Sequence, residues 1–223
     1  MDITTALFRH IDAYCERLSS AFWAEPFNAI SNLGFVAAGL IALGQARRQN
    51  AGPMVRFLSL MVVLVGIGSF LFHTFANTLA MFGDLIPIFI FTSAYLFHSL
   101  RHYLKWKRSL SWLALVVMIA AMVATETLSS TKILNGSLLY APPLIMLFYV
   151  ALALKKHGHD LAGSLYLKAA GVFLLSLFMR TIDSAICEIF PIGTHFLWHL
   201  LNGICLWILL KIALNFQRDS LNP

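Results

Sequence analysis

The 223-residue chain is 59% hydrophobic and only 12% charged, with a mean hydropathy of +0.78; a soluble domain carries about 25% charged residues, so one is excluded. The net charge of +6 does not indicate a nucleic-acid partner, because the basic residues sit in short breaks between apolar runs, where topology signals belong. Met1–Ser20 is polar and mixed and lacks the apolar core of a cleavable signal peptide.

A helix crosses a bilayer with about 20 mostly apolar residues. Seven runs qualify in chain order, at roughly 27–46, 55–75, 83–103, 110–127, 138–154, 163–182 and 195–215. The expected fold is therefore an all-α bundle of seven transmembrane helices. Residues 1–26 form an N-terminal extramembrane segment, 27–215 the membrane domain and 216–223 a short tail. Pro87, Pro142 and Pro143 fall inside runs, where neighbouring helices can satisfy the freed carbonyls. Of the 16 Lys and Arg residues, only Arg9, Arg17, Lys132 and Arg180 lie on the N-terminal side of the bundle. The other twelve lie opposite, which places the N-terminus outside and the C-terminus in the cytoplasm.

Ionisable groups within or at the ends of spans are costly and mark function. Given that topology, Glu25, Ser69, His73, Asp84, Asp183, Glu188, His195 and His199 all fall near the outer face, although they come from distant parts of the chain. His195 and His199 are four apart and project from one helix face. His73 offers a third nitrogen if the second and seventh spans pack together. Three protein ligands with an open fourth position is the pattern of catalytic zinc. Ser69 shares the face of His73, and Asp84, following a short non-helical turn, is placed to approach the same metal. His98 and His102 are also four apart, but flank Arg101 at the opposite end and read as an interfacial pair. A bis-histidine haem would not want a carboxylate beside it.

These residues resemble the alkaline ceramidases, within a wider superfamily of seven-helix hydrolases that includes the adiponectin and progestin receptors. The matching segments are Trp23–Asn32, Gly66–His73, Asp84–Pro87, Ile182-Asp183 with Cys187-Glu188, and His195–His199. The resemblance implies a zinc ion on His73, His195 and His199, with catalytic roles for Ser69 and Asp84. It implies cleavage of ceramide, a membrane lipid, at its amide to a sphingoid base and a fatty acid. It further implies a Cys15–Cys187 disulfide, and calcium bound near the N-terminal segment, with Asp12, Glu16 and Glu25 as candidate ligands. Arg17 puts a positive charge into that stretch, and the alternative is that these acids cap or orient the segment. Asp183 and Glu188 are expected to support the histidines from behind or to orient the same segment.

The expected activity is thus zinc-dependent hydrolysis of ceramide or a related lipid amide. The alternative is a receptor of the same superfamily with a structural zinc site, against which stands the short stretch after the last span. A transporter would place its site near the midplane, with broken helices and repeats, and neither is present in the sequence.

Overall fold

The structure is a computed structural model describing residues 2–128 and 133–221. Lys132, counted above, and residues 222–223 of the expected tail lie outside them. The helices are α1 (Ile3–Leu7), α2 (Pro26–Ser31), α3 (Leu33–Arg48), α4 (Pro53–Phe75), α5 (Thr78–His98), α6 (Arg108–Leu128), α7 (Ala141–Lys156), α8 (Asp160–Ile182) and α9 (His195–Leu221). α2 and α3 together make the first span. Seven helices are long and apolar enough to cross a membrane, and the chain is an integral, multi-pass membrane protein of the all-α class. No strand occurs among the described residues; His10 and Asn77 form only an isolated bridge.

Large apolar side chains remain uncovered on the outward faces: Leu60, Leu64 and Ile67 on α4, Val116 and Val117 on α6, Leu174 and Phe178 on α8. A water-facing surface of this kind would aggregate; against acyl chains it is the expected lining, since every span satisfies its own backbone as a helix. α3 packs on α4 and α9, α4 on α5, α7 on α8, and α8 on α9. α4 and α9 are the two most buried spans. They carry His73 and the His195/His199 pair. α2 touches both of them.

Two boundaries differ from the sequence expectation. The third span begins at Thr78 rather than near residue 83, because the Asn77 side chain accepts the Ala80 N–H at 2.9 Å and caps the helix. The non-helical turn before it is only Ala76–Asn77, with Ala76 left-handed (φ 44°) and its N–H closing onto Phe72 O. Asp84 consequently sits inside the helix and does not open it. The last helix runs on to Leu221, so most of the expected tail is helical.

Candidate metal centre

His73 lies in the last turn of α4, and His195 and His199 in the first turns of α9. One ligand atom from each lies within 4.8 Å of the others, and all three residues are buried. No other such group occurs among the described residues. The ring centroids are 5.2 Å (His73–His195), 4.7 Å (His73–His199) and 4.6 Å (His195–His199) apart.

Each ring is held from behind. The Glu25 carboxylate accepts from His73 Nδ1 at 2.6 Å. The Ser31 hydroxyl lies 2.8 Å from His199 Nδ1 while donating its own proton to Asn28 O at 2.8 Å. Having one proton to give, Ser31 accepts from the imidazole, and the Nε2 lone pair of His199 is left for another partner. His195 is held by stacking: the Tyr14 ring lies on it at 3.7 Å and 21°. Burial pushes the Tyr14 hydroxyl up, so the stacked ring stays neutral.

The centre fits a metal ion by two independent observations. His73 Nε2 and His195 Nδ1 are buried without a hydrogen-bond partner, as is Asp84 Oδ1. Native interiors rarely leave such groups unpaired unless an ion or water serves them. The donor set, three buried imidazoles whose ligand nitrogens converge, suits a metal ion that takes nitrogen ligands.

Ser69 and Asp84 meet beside it. Ser69 lies one turn before His73 on α4, at the contact with α5 where Asp84 N would come 3.1 Å from a Cβ placed on Gly68. Their approach depends on Gly68: a Cβ there would come within 2.1 Å of Gly83 O on the facing helix, whereas one on Gly83 would meet nothing within 4 Å. Small residues let membrane helices come this close.

Asp183 is fully buried and joins three parts of the chain. Its carboxylate accepts from Thr194 N (2.7 Å) and His195 N (2.9 Å), capping α9, and from Cys15 N (3.2 Å). Gly193 must be glycine here: its φ is +68°, and a Cβ would meet Asp183 Oδ1 at 2.2 Å. Cys15 and Cys187 are disulfide-bonded, with Cα atoms 5.2 Å apart. Together these ties press the N-terminal segment onto the histidines. Glu188 is exposed and does not join the site.

Of the acids considered for calcium, Glu16 and Glu25 both bond Asn28, one at its backbone and the other at its side chain. Asp12 is exposed. Glu16 accepts from Phe27 N (2.6 Å) and Asn28 N (2.8 Å), capping α2 from a distance. Burial raises its pKa despite those two bonds. Glu25 takes Arg17 Nε, Asn28 Nδ2 (3.0 Å) and His73. Burial alone would raise its carboxyl, but the hydrogen bonds from His73 and Asn28, with the Arg17 charge, hold it below the ordinary range.

Arg17, Ser31, Asn28, Tyr14, Gly68 and Gly83 were not singled out as parts of the centre in the sequence. The only local signal was the position of Asn28 and Ser31 in the Trp23–Asn32 segment and of Gly68 beside Ser69. On the side of α8, Arg180 stacks over the Tyr140 and Trp198 rings at 5.7 and 5.8 Å. Trp198 is in turn stacked 6.5 Å from His195. An apolar groove of about 530 Å³, lined among others by Leu138, Leu144, Leu174 and Phe178, shares Ser137 with Arg180, which donates to its hydroxyl at 3.2 Å; none of the three histidines lines it.

A search of curated proteins gave no match. A family model described as Ceramidase matches residues 11–221, nearly the whole chain and every residue of the centre. The chain belongs to the ceramidase family.

Proposed function

We propose that this ceramidase-family hydrolase is zinc-dependent and cleaves the amide of ceramide or a closely related lipid. The observation that carries the reading is the convergence of three buried, back-supported histidines on one point, with Asp84 and Ser69 beside it. His73, His195 and His199 would hold the ion. Zinc, when bound, supplies Lewis acidity, polarising an amide carbonyl and making water a better nucleophile at neutral pH.

The chain's own groups supply the rest. Asp84 takes the proton of the attacking water and returns it to the nitrogen of the departing sphingoid amine, acting as base and then acid. Ser69 donates a hydrogen bond to the carbonyl oxygen as negative charge develops there, an interaction typically worth about 3 kcal/mol. Glu25, Ser31 and Tyr14 hold the three imidazoles in place. The acyl chain lies against apolar helix surface, for which the groove beside Arg180 offers room. The basic-residue asymmetry supports placing the centre at the outer face, with the N-terminus outside.

For calcium, the hydrogen bonds of Glu16 and Glu25 support the second reading of these acids: they cap α2 and orient the N-terminal segment and His73. The test of the zinc assignment is elemental analysis of purified protein. About one zinc per chain, lost in His195→Ala together with hydrolysis, supports it; hydrolysis persisting in metal-free protein refutes it.

A further inference from the structure

One cation in the N-terminal segment has no role in the chemistry above. Arg17 is only 4% exposed, and its guanidinium is surrounded by oxygen. Nε donates to the Glu25 carboxylate, one terminal nitrogen to Ser19 O at 3.1 Å, and the other to His73 O at 2.9 Å. The last contact falls at the C-terminal end of α4, where the final carbonyls of a helix lack intrahelical partners and a positive charge meets the negative end of the dipole. The other oxygen of Glu25 takes the His73 ring at 2.6 Å. Arg17 therefore reaches His73 twice, directly through its backbone carbonyl and through Glu25 at its imidazole.

A buried carboxylate without a counter-charge is strongly unfavourable. Without Arg17, Glu25 would have no fixed charge to keep it in place, and the His73 ring would lose the acceptor that points its Nε2 towards the other histidines. A lysine keeps the charge, but a point charge cannot span three acceptors as a planar fork does.

We infer that Arg17 is a positioning residue for the histidine centre. Its guanidinium is the cation, supplied by the chain itself, around which Glu25, the end of α4 and the Ser19 turn close. With that place filled, the N-terminal segment takes no calcium at Glu25. The inference rests on the metal-centre reading, and the experiment separates the two.

Zinc affinity is measured by chelator competition on metal-free wild type, Arg17→Lys and Arg17→Met in detergent, with folding checked by circular dichroism. The expected result is a loss of about tenfold or more in Arg17→Met and a smaller loss, about threefold or more, in Arg17→Lys. Wild-type affinity in a folded Arg17→Met overturns the inference. Should that variant not fold, wild-type affinity in Arg17→Lys overturns it instead. Calcium titration of the wild type is expected to show no binding, and tight binding abolished by Glu25→Gln also overturns it. If the wild type takes up no zinc, the metal-centre reading fails. The role of Arg17 is then read from histidine-labelled nuclear magnetic resonance of the same proteins. The hydrogen-bonded Nδ1–H signal of His73, assigned with His73→Gln, is expected in wild type and to be lost or shifted in the Arg17 variants. An unchanged signal overturns the inference.

Discussion

Ser31 Oγ lies 2.8 Å from His199 Nδ1, joining residues 168 positions apart. Because the Ser31 proton is committed to Asn28 O, this single contact selects the His199 tautomer and leaves Nε2 as the nitrogen available to an ion. Ser31→Ala should therefore weaken zinc binding about tenfold, with little change in thermal stability. Chelator competition measures it, and an unchanged affinity would remove Ser31 from the centre.

Asp84 is assigned the proton traffic, and Asn keeps its size while removing its basicity. Asp84→Asn should bind zinc normally and lose hydrolysis by about 100-fold or more. Full hydrolysis by the variant would end the assignment. Loss of zinc along with activity would instead make Asp84 a ligand.

The contact between Gly68 and Gly83 O sets the distance between Ser69 and Asp84. Gly68→Ala inserts a methyl 2.1 Å from that carbonyl. The helices must part, at a cost of about 1–3 kcal/mol, and turnover should fall while His73, five positions on, keeps its metal. Thermal unfolding and single-turnover kinetics read the two effects. A variant as stable and active as wild type would mean that the close approach is not needed.

Asp183 holds three backbone N–H groups with one buried carboxylate. Hydrogen bonds to a charged group contribute roughly 1.5–3 kcal/mol each, so Asp183→Ala should destabilise by at least about 3 kcal/mol. It should also free the N-terminal segment, making Met1–Ser20 more open to proteolysis even with the Cys15–Cys187 bond intact. Limited proteolysis and unfolding in detergent test both; wild-type protection of the segment would refute the tie.

Glu16 carries a pH signature. Its folded pKa is raised by burial, so ionisation weakens the fold: its stabilisation is complete below the unfolded carboxyl pKa and is lost as pH rises through the folded value. Wild type should gain stability relative to Glu16→Gln as pH falls from neutral through the carboxyl range. The opposite slope would mean that the α2 cap, not desolvation, dominates at Glu16.

The architecture was legible because hydropathy over about 20 residues is a local property, and the seven apolar runs correspond to the seven spans. The helix ends were less so. Asn77 capped α5 five residues or so before the expected start, since one side chain's hydrogen bond outranked the apolar boundary. The histidine cluster could be read because His195 and His199 share a helix face by spacing alone, and His73 sits at the matching end of a neighbouring span. What holds those rings could not be read. Ser31, Tyr14, Arg17 and Asn28 act through contacts across the bundle that depend on α2 lying between α4 and α9 and on the segment before it folding back. Beyond the place of Asn28 and Ser31 in the Trp23–Asn32 segment, nothing in their local sequence marks them. Glu188, close to Asp183 in the chain, shows the converse: adjacency suggested a shared role, yet one carboxylate is fully buried and the other faces outward as an exposed group.

The measurement that tests the central claim most directly is hydrolysis of a ceramide panel by the purified, zinc-containing protein in detergent. Sphingoid base is detected by mass spectrometry, with His199→Ala as the paired control. The expected result is release of sphingoid base by the wild type and none by the variant. Release that persists in His199→Ala, or none from wild type carrying zinc, would contradict a zinc-dependent ceramide hydrolase built on these three histidines.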